Sequence, residues 1–132
     1  MDSNRIDLIE CPRDAMQGIH PFIPTEKKVR YIQSLLSVGF HTLDCGSFVS
    51  EKAIPQMRDT EAVLDQLDLS NTQTKLLTIV ANYRGAKQAA SFSQVDYLGY
   101  PFSVSETFQL RNTNKTIKES QALVEDLVEL AD

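Results

Sequence analysis

Strand-like apolar runs alternate with segments of helical spacing along the chain, and this alternation most constrains its fold. Four strand-like runs are predicted, at residues 5–11, 41–46, 75–82 and 94–100. Apolar residues at helical spacing follow them, at residues 24–39, 59–67, 84–92 and 116–131. Strands and helices that alternate in this way predict an α/β protein with a parallel sheet covered by helices.

Residues typical of helix ends support these bounds. Thr25 follows a proline and is predicted to cap the first helix, and Gly39 is predicted to end it. Thr116 with Glu119 three residues later predicts a capping box on the last helix. Within that helix the apolar residues of the segment 123–128, Val128 included, are predicted to pack in the core.

Two architectures can hold four strand–helix units. An open doubly wound sheet would favour a glycine-rich phosphate turn after the first strand, but PRDAMQG offers only Gly18. A full (β/α)8 TIM barrel needs roughly 250 residues. The sequence stops inside a helical pattern, so we predict one partial domain, residues 1–132, that forms the N-terminal half of a (β/α)8 barrel and is a fragment. Such a half-barrel would have two open sheet edges.

Composition excludes several classes of protein. The net charge is −5 and the pI is about 5.0, which argues against a nucleic-acid partner. No apolar run reaches the ~20 residues of a membrane span, so no membrane partner is expected. The first ten residues lack the pattern of a signal peptide. Two cysteines make no disulfide framework, and a cytoplasmic location is predicted.

The loops that follow the predicted strands are long and should carry the functional site. They span residues 12–24, 46–58 and 100–115. Because the carboxyl ends of parallel strands meet at one edge, the loop residues should gather there. The side chains in question are Arg13, Asp14, Ser47, Phe48 and those of the segment 105–114.

Residue types alone leave the chemistry open. Asp14 is a hard oxygen ligand that suits Mg²⁺ or Mn²⁺, although an adjacent Arg13–Asp14 pair is more typical of a surface ion pair. The two histidines, at 20 and 41, have no metal-ligand spacing, and His41 is predicted to be structural. Cys11 and Cys45 are predicted to be small packing residues. Phe48 fits a core position and an apolar pocket equally well.

Three segments resemble hydroxymethylglutaryl-CoA lyases. PRDAMQ at 12–17 resembles that family's PRDGLQ signature, and GSFVSEKAIPQMRDTEAVL at 46–64 resembles its SFVSPKWVPQM segment. SVSETFQLRNTNKTIKES at 103–120 is similar to the family's loop after the fourth strand. The resemblance spans about residues 5–125, and the PQM segment separates it from isopropylmalate and citramalate synthases, whose signature is closer to LRDGEQ.

The resemblance implies a metal-assisted retro-Claisen cleavage of an acyl-CoA, 3-hydroxy-3-methylglutaryl-CoA, to acetyl-CoA and acetoacetate. Asp14 would bind the divalent cation, Mg²⁺ or Mn²⁺, and Arg13 would hold the carbonyl or enolate oxygen. Gln17 would support both, and Asp44 would orient Arg13. Ser47 and Phe48, in the matching loop, would contact the substrate.

Two departures from the family pattern are visible. Ala15 replaces the glycine of PRDGLQ, which restricts the backbone if that position needs a positive φ. Asp44 replaces a glutamate and is one methylene shorter.

The family's remaining metal ligands, an HxH pair and an asparagine, and its loop cysteine do not occur in these residues. We therefore expect residues 1–132 to be inactive alone and the full-length form to be a homo-oligomer, such as a dimer. The alternatives are a related acyl-CoA condensing enzyme and a catalytically silent half-barrel that assembles with itself or with a partner.

Overall fold

The computed structural model describes residues 6–132, which form a four-stranded parallel sheet in the order β1-β2-β3-β4. The strands are β1 (Ile9–Glu10), β2 (Thr42–Ser47), β3 (Lys75–Ile79) and β4 (Tyr97–Gly99). All four strand predictions are confirmed, although β1, β3 and β4 are shorter than predicted and β2 begins and ends one residue later. Residues 1–5 lie outside the described residues. The predictions that fall there are the first residue of the strand 5–11, the start of the domain 1–132 and part of the N-terminus that was examined for a signal peptide.

Six α-helices and a short 3-10 helix surround the sheet in the described part of the chain. They are α1 (Pro12–Gln17), α2 (Thr25–Leu36), the 3-10 helix (Pro55–Met57), α3 (Thr60–Leu64), α4 (Tyr83–Ala90), α5 (Glu106–Thr113) and α6 (Ile117–Ala131). The four predicted helices are therefore present. No helix among residues 6–132 is long and apolar enough to cross a membrane.

Helices α1 and α5 lie in segments that the sequence analysis predicted as loops, so those predictions are wrong. Helix α1 has only six residues, too few to show a helical period, and Pro12 at its first position presets the backbone. Helix α5 is capped by Ser105, whose hydroxyl accepts a hydrogen bond from the Phe108 amide. Its apolar residues do not form one stripe, because Phe108 and Leu110 are exposed whereas polar Gln109 is buried.

Two predictions of helix ends are also wrong, and one is confirmed. Pro24, not Thr25, is the cap residue of α2, because the Thr25 hydroxyl donates to Asp59 Oδ2 at 2.7 Å instead. Helix α2 ends before Gly39, which has a φ of 85° in the turn to β2. The capping box of Thr116 and Glu119 is present at the start of α6.

The hydrophobic core lies between the sheet and the helices. Its members with the least exposure are Ile32, Leu43, Leu64, Leu76, Val80, Ala86 and Ala89. From α6 only Leu123 and Leu127 join the buried cluster, and Val128 is 55% exposed, so its predicted core position is wrong. The buried side of α6 is shifted because polar Ser120 occupies it, with its hydroxyl bonded to Tyr100 and Gln109.

The sheet is open at both edges within the described chain. Strand β1 pairs only with β2, and β4 pairs only with β3. Ile9 on β1 and Tyr97 on β4 are both exposed large hydrophobic residues. This arrangement agrees with the predicted half-barrel, whose strand edges would meet further strands in a closed barrel.

Candidate active site

A salt bridge between Arg13 on α1 and Asp44 on β2 organises the candidate site. Arg13 Nε donates to both carboxylate oxygens of Asp44 at 3.1 Å, and Nη2 donates to Oδ2 at 2.5 Å. The Arg13 side chain is 15% exposed and that of Asp44 only 6%. This two-pronged contact fixes the guanidinium to the strand, as expected if Asp44 orients Arg13.

The other nitrogen of the guanidinium holds Asp14 and Gln17. Arg13 Nη1 donates to Asp14 Oδ1 at 3.3 Å and to Gln17 Oε1 at 2.9 Å. Gln17 Nε2 donates in turn to Asp14 Oδ1 at 2.9 Å. The three side chains close a ring because one turn of helix brings positions 13, 14 and 17 to the same side.

Asp44 also keeps Arg13 charged. Burial alone lowers the pKa of the Arg13 guanidinium. The hydrogen bond and charge of Asp44, with a smaller contribution from Asp14, outweigh burial and raise that pKa above its ordinary value. The Arg13 guanidinium therefore stays protonated in the fold, paired with the carboxylates of Asp44 and Asp14.

The backbone supports this placement. Strand β2 has an irregularity between Asp44 and Gly46, where Cys45 is the extra residue opposite β3. A side chain at Gly46 would collide with Thr60, whose hydroxyl accepts a hydrogen bond from the Ser47 amide at 3.1 Å. The end of β2 is thus fixed by direct contact with α3.

Ala15 lies inside α1 and has no positive φ. In the described chain only Asn114 and Gly39 have a φ in the left-handed region. The replacement of glycine by alanine in the signature therefore does not restrict the backbone here, and the expected difficulty at this position does not arise.

Ser47 and Phe48 make no hydrogen bond with the ring of Arg13, Asp14 and Gln17. Phe48 packs in the core, with its ring centroid 5.6 Å from that of Phe92. Both residues also line an open cleft of about 410 Å³ between α3 and α4, whose lining does not include Arg13 or Asp14. Their assignment to substrate binding stays a prediction.

None of the cysteines and histidines is part of the ring of Arg13, Asp14 and Gln17. Cys45 is buried, as predicted, whereas Cys11 is exposed, so its predicted packing role is wrong. His41 lies at the opposite end of β2, where its Nδ1 is 2.8 Å from the Thr42 hydroxyl, in agreement with a structural role.

The two thiols should differ in reactivity. Burial raises the pKa of the Cys45 thiol from 9.0 to about 12, and burial followed by the charge of Asp44 raises that of Cys11. At pH 8 we expect a maleimide to label Cys11 in the folded chain and Cys45 only after unfolding, as read by mass spectrometry. Equal labelling of both thiols without denaturant would contradict this expectation.

The same shift predicts a pH dependence of stability. In the unfolded chain Cys45 ionises near pH 9, whereas in the fold it stays protonated to about pH 12. The free energy of unfolding should therefore fall between these pH values, and Cys45→Ala should remove part of that fall. Urea unfolding at pH 7 and pH 10 measures it.

The ring offers oxygen atoms of the type that bind a hard divalent cation, but too few of them to hold one. Asp14 supplies a carboxylate that is 66% exposed, and both its protein contacts fall on Oδ1. Among residues 6–132, no group of three or more His, Cys, Asp or Glu side chains is arranged to hold a metal. Asp14 can therefore be one ligand of a cation that needs others.

Sequence analysis missed two buried residues that support the segment after α1. Lys28 and Gln56 are both buried. Gln56 binds the segment after α1 to the 3-10 helix, and Lys28 of α2 donates to the Gln56 carbonyl. Two signals could have revealed them. Lys28 stands on the same stripe of α2 as Ile32 and Leu36, where an apolar residue is expected, and Gln56 is the central residue of the PQM motif.

The fold matches the N-terminal half of a (β/α)8 barrel, with the candidate arginine–carboxylate site after its first strand. No family model matches the chain. Its resemblance to hydroxymethylglutaryl-CoA lyases is confirmed by the curated proteins to which it is similar. The mitochondrial enzyme of Arabidopsis thaliana is 36% identical over 87% of this chain, and the cytoplasmic enzyme of Danio rerio 35% over 96%.

Solved structures give the same result. An HMG-CoA lyase from Acinetobacter baumannii, in complex with coenzyme A and 3-methylmalate, is 33% identical over 94% of this chain with a TM-score of 0.87. The HMG-CoA lyase from Brucella melitensis is 28% identical over 96%, with a TM-score of 0.86. The chain spans 24% and 37% of the two curated relatives, and 40% and 44% of these two solved chains.

Proposed function

We propose that this chain is the N-terminal half-barrel of a lyase that cleaves 3-hydroxy-3-methylglutaryl-CoA to acetyl-CoA and acetoacetate. One observation carries the proposal. In a chain similar to HMG-CoA lyases, the side chains of Arg13, Asp14 and Gln17 form a hydrogen-bonded ring, and Arg13 also binds Asp44. The acyl-CoA substrate is supported by the coenzyme A in the Acinetobacter baumannii complex.

Arg13 is suited to hold the oxygen that becomes negative in this reaction. A base takes the proton of the tertiary hydroxyl, whose oxygen becomes the ketone of acetoacetate as the carbon–carbon bond breaks. The electron pair of that bond passes to the thioester as an enolate, which then takes up a proton to give acetyl-CoA. Arginine has five N–H donors, and four of them suffice for the contacts with Asp44, Asp14 and Gln17. The remaining donor, on Nη2, can stabilise the enolate oxygen in a fixed position.

The divalent cation, Mg²⁺ or Mn²⁺, would be held by Asp14 together with ligands from outside the described residues. When bound, it supplies a Lewis acid that polarises substrate oxygen atoms. Gln17 keeps Asp14 and Arg13 at a fixed separation, because its amide contacts both. A single carboxylate holds such an ion weakly against water, so residues 1–132 alone should be inactive.

A second candidate function is a catalytically silent half-barrel that assembles with itself or with a partner. The two open sheet edges favour it, because each leaves unpaired backbone groups within the described chain. For the lyase, a homo-oligomer in the full-length form is our further proposal. A cytoplasmic location is also proposed, although the similar proteins include both cytoplasmic and mitochondrial enzymes.

The decisive test uses the protein as its own cell makes it. We expect an intact mass well above the 14.8 kDa of these residues, together with release of acetoacetate from the substrate that needs Mg²⁺ and stops with a chelator. Arg13→Lys keeps the charge but loses the planar fork, and should lower kcat by roughly 10²–10³-fold. Arg30→Lys, at an exposed position of α2, is the control that should leave kcat unchanged.

Two results would contradict the proposal. A full-length protein that binds the cation but releases no acetoacetate is not this lyase. A native mass of 14.8 kDa with no turnover of any acyl-CoA would favour the silent half-barrel.

A further inference from the structure

We infer that Gln56 is a positioning residue for the candidate site, because it fixes the segment that follows α1 and so the place of Gln17. The inference rests on the proposed function, since it assigns a role to the PQM motif in aligning the ring. Gln56 makes no hydrogen bond with Arg13, Asp14 or Gln17, and its side chain bonds the main chain of the segment after α1.

Helix α1 needs external support. It has six residues, and its cap residue, Cys11, makes no side-chain capping bond. Helices this short are not stable by themselves in water, so tertiary contacts must hold them. Arg13 binds the start of α1 to Asp44 and Met16 is buried, so the end of α1, at Gln17 and Gly18, is the part that relies most on the segment after it.

Gln56 supplies that anchor through its side-chain amide. Nε2 donates to the carbonyl of Ile19 at 2.6 Å and lies 3.4 Å from that of Pro21. Oε1 accepts from the amide of Ile23 at 2.8 Å. Gln56 is 3% exposed, and its partners lie 33 to 37 residues away in sequence. One buried side chain thus fixes the segment 19–23 at three points.

The orientation of Gln56 is itself fixed. Pro55 begins the 3-10 helix, and Met57 is buried beside it. The Gln56 carbonyl accepts a hydrogen bond from the buried ammonium of Lys28. The three residues of the PQM motif therefore act in different ways, since Pro55 sets the turn, Gln56 anchors the segment after α1, and Met57 fills the core.

Loss of the anchor should disturb one end of the ring more than the other. The contact between Arg13 and Asp44 does not depend on the segment 19–23. Gln17 is two residues from Ile19, so its amide should lose its fixed contacts with Arg13 Nη1 and Asp14 Oδ1. The expected signature is a local change at Gln17 rather than a general loss of structure.

The test is nuclear magnetic resonance of the ¹⁵N-labelled full-length protein with the variant Gln56→Met, which keeps length and volume but not the amide. We expect the Gln17 side-chain amide signals to shift toward solvent values and their exchange with water to rise at least tenfold. The main-chain amides of β2 and β3 should keep their wild-type positions.

Gln33→Met is the matched control. Gln33 makes the same kind of contact with a distant main chain, because its Nε2 donates to the Asp68 carbonyl at 2.8 Å and its Oε1 accepts from the Asp68 amide at 2.9 Å. It should leave the Gln17 signals unchanged. Gln56→Asn, which keeps the amide but is shorter, serves if the methionine variant does not fold.

Three outcomes would overturn the inference. They are wild-type Gln17 signals in folded Gln56→Met, an equal effect of Gln33→Met, and failure of both Gln56 variants to fold. The last would assign Gln56 to overall stability. None of these readouts needs turnover, so a failed inference is distinguishable from a failed lyase assay.

Discussion

Replacement of Asp44 by asparagine is expected to destabilise the fold by about 2–3 kcal/mol, because it leaves the largely buried Arg13 charge without its partner. The two side chains are 15% and 6% exposed, and three hydrogen-bond contacts join them. Asparagine replaces one acceptor oxygen of the carboxylate with an NH2 donor, which cannot accept from the guanidinium, and it carries no charge to balance that of Arg13. Urea unfolding at pH 7 measures the loss.

Asp14→Asn is the matched control, since Asp14 binds the same guanidinium through an exposed carboxylate. An exposed pair contributes about 0–1 kcal/mol, so this variant should unfold close to wild type. If the two variants lose equal stability, Arg13 is not held by Asp44 in the way described.

Asp44→Glu completes the comparison, because it restores the residue that the resemblance leads one to expect. It keeps the charge, so most of the stability should remain. In the full-length protein we expect Asp44→Asn to lower kcat as Arg13→Lys does, whereas Asp44→Glu should keep substantial activity. An Asp44→Glu protein as inactive as Asp44→Asn would show that the shorter side chain is essential to this chain.

The sheet was predictable from the sequence because its signals are local. Each strand overlaps one of the short strand-like runs, and the alternation of these runs with helices predicts parallel pairing. Helices α1 and α5 were not predictable in this way. The first is shorter than two helical turns, and the second buries Gln109 through hydrogen bonds to Thr113 and Ser120 rather than through an apolar stripe.

The candidate site was predictable only through resemblance. Residue types alone make Arg13 and Asp14 an ordinary surface pair, because nothing in their spacing indicates that Asp44, 31 residues away, binds the same arginine. The support behind α1 was missed for the same reason, since Gln56 and Lys28 act on residues far away in sequence. Long-range polar contacts produce no periodic pattern in the sequence. A lysine on the apolar stripe of a helix, such as Lys28, does indicate a buried charge with a distant partner.

Lys28→Met is the second change for which we expect a large effect, about 3 kcal/mol of lost stability. The ammonium is 2% exposed, lies 2.5 Å from Asp59 Oδ1 and donates to the Gln56 carbonyl. Its removal leaves the Asp59 carboxylate, 12% exposed, with the Thr25 hydroxyl but no opposite charge. The same change also frees the Gln56 carbonyl in a buried place.

Lys75→Met is the control for loss of a lysine, because Lys75 pairs with Asp96 at 2.9 Å while half exposed. It should cost no more than about 1 kcal/mol. Equal unfolding midpoints for the two variants would contradict a buried role for Lys28.

A double variant separates charge from packing at Lys28. Methionine matches the stem of lysine and can fill the same space, so the main cost of Lys28→Met should be the stranded charge of Asp59. Adding Asp59→Asn removes that charge, and the double variant should recover stability relative to Lys28→Met alone. If it recovers none, the loss comes from the freed Gln56 carbonyl and the contact of Lys28 with the Phe22 ring, 4.0 Å from its centroid. The placement of Gln56 would then depend on the hydrogen bond from Lys28 to the Gln56 carbonyl and not on the ion pair of Lys28 with Asp59.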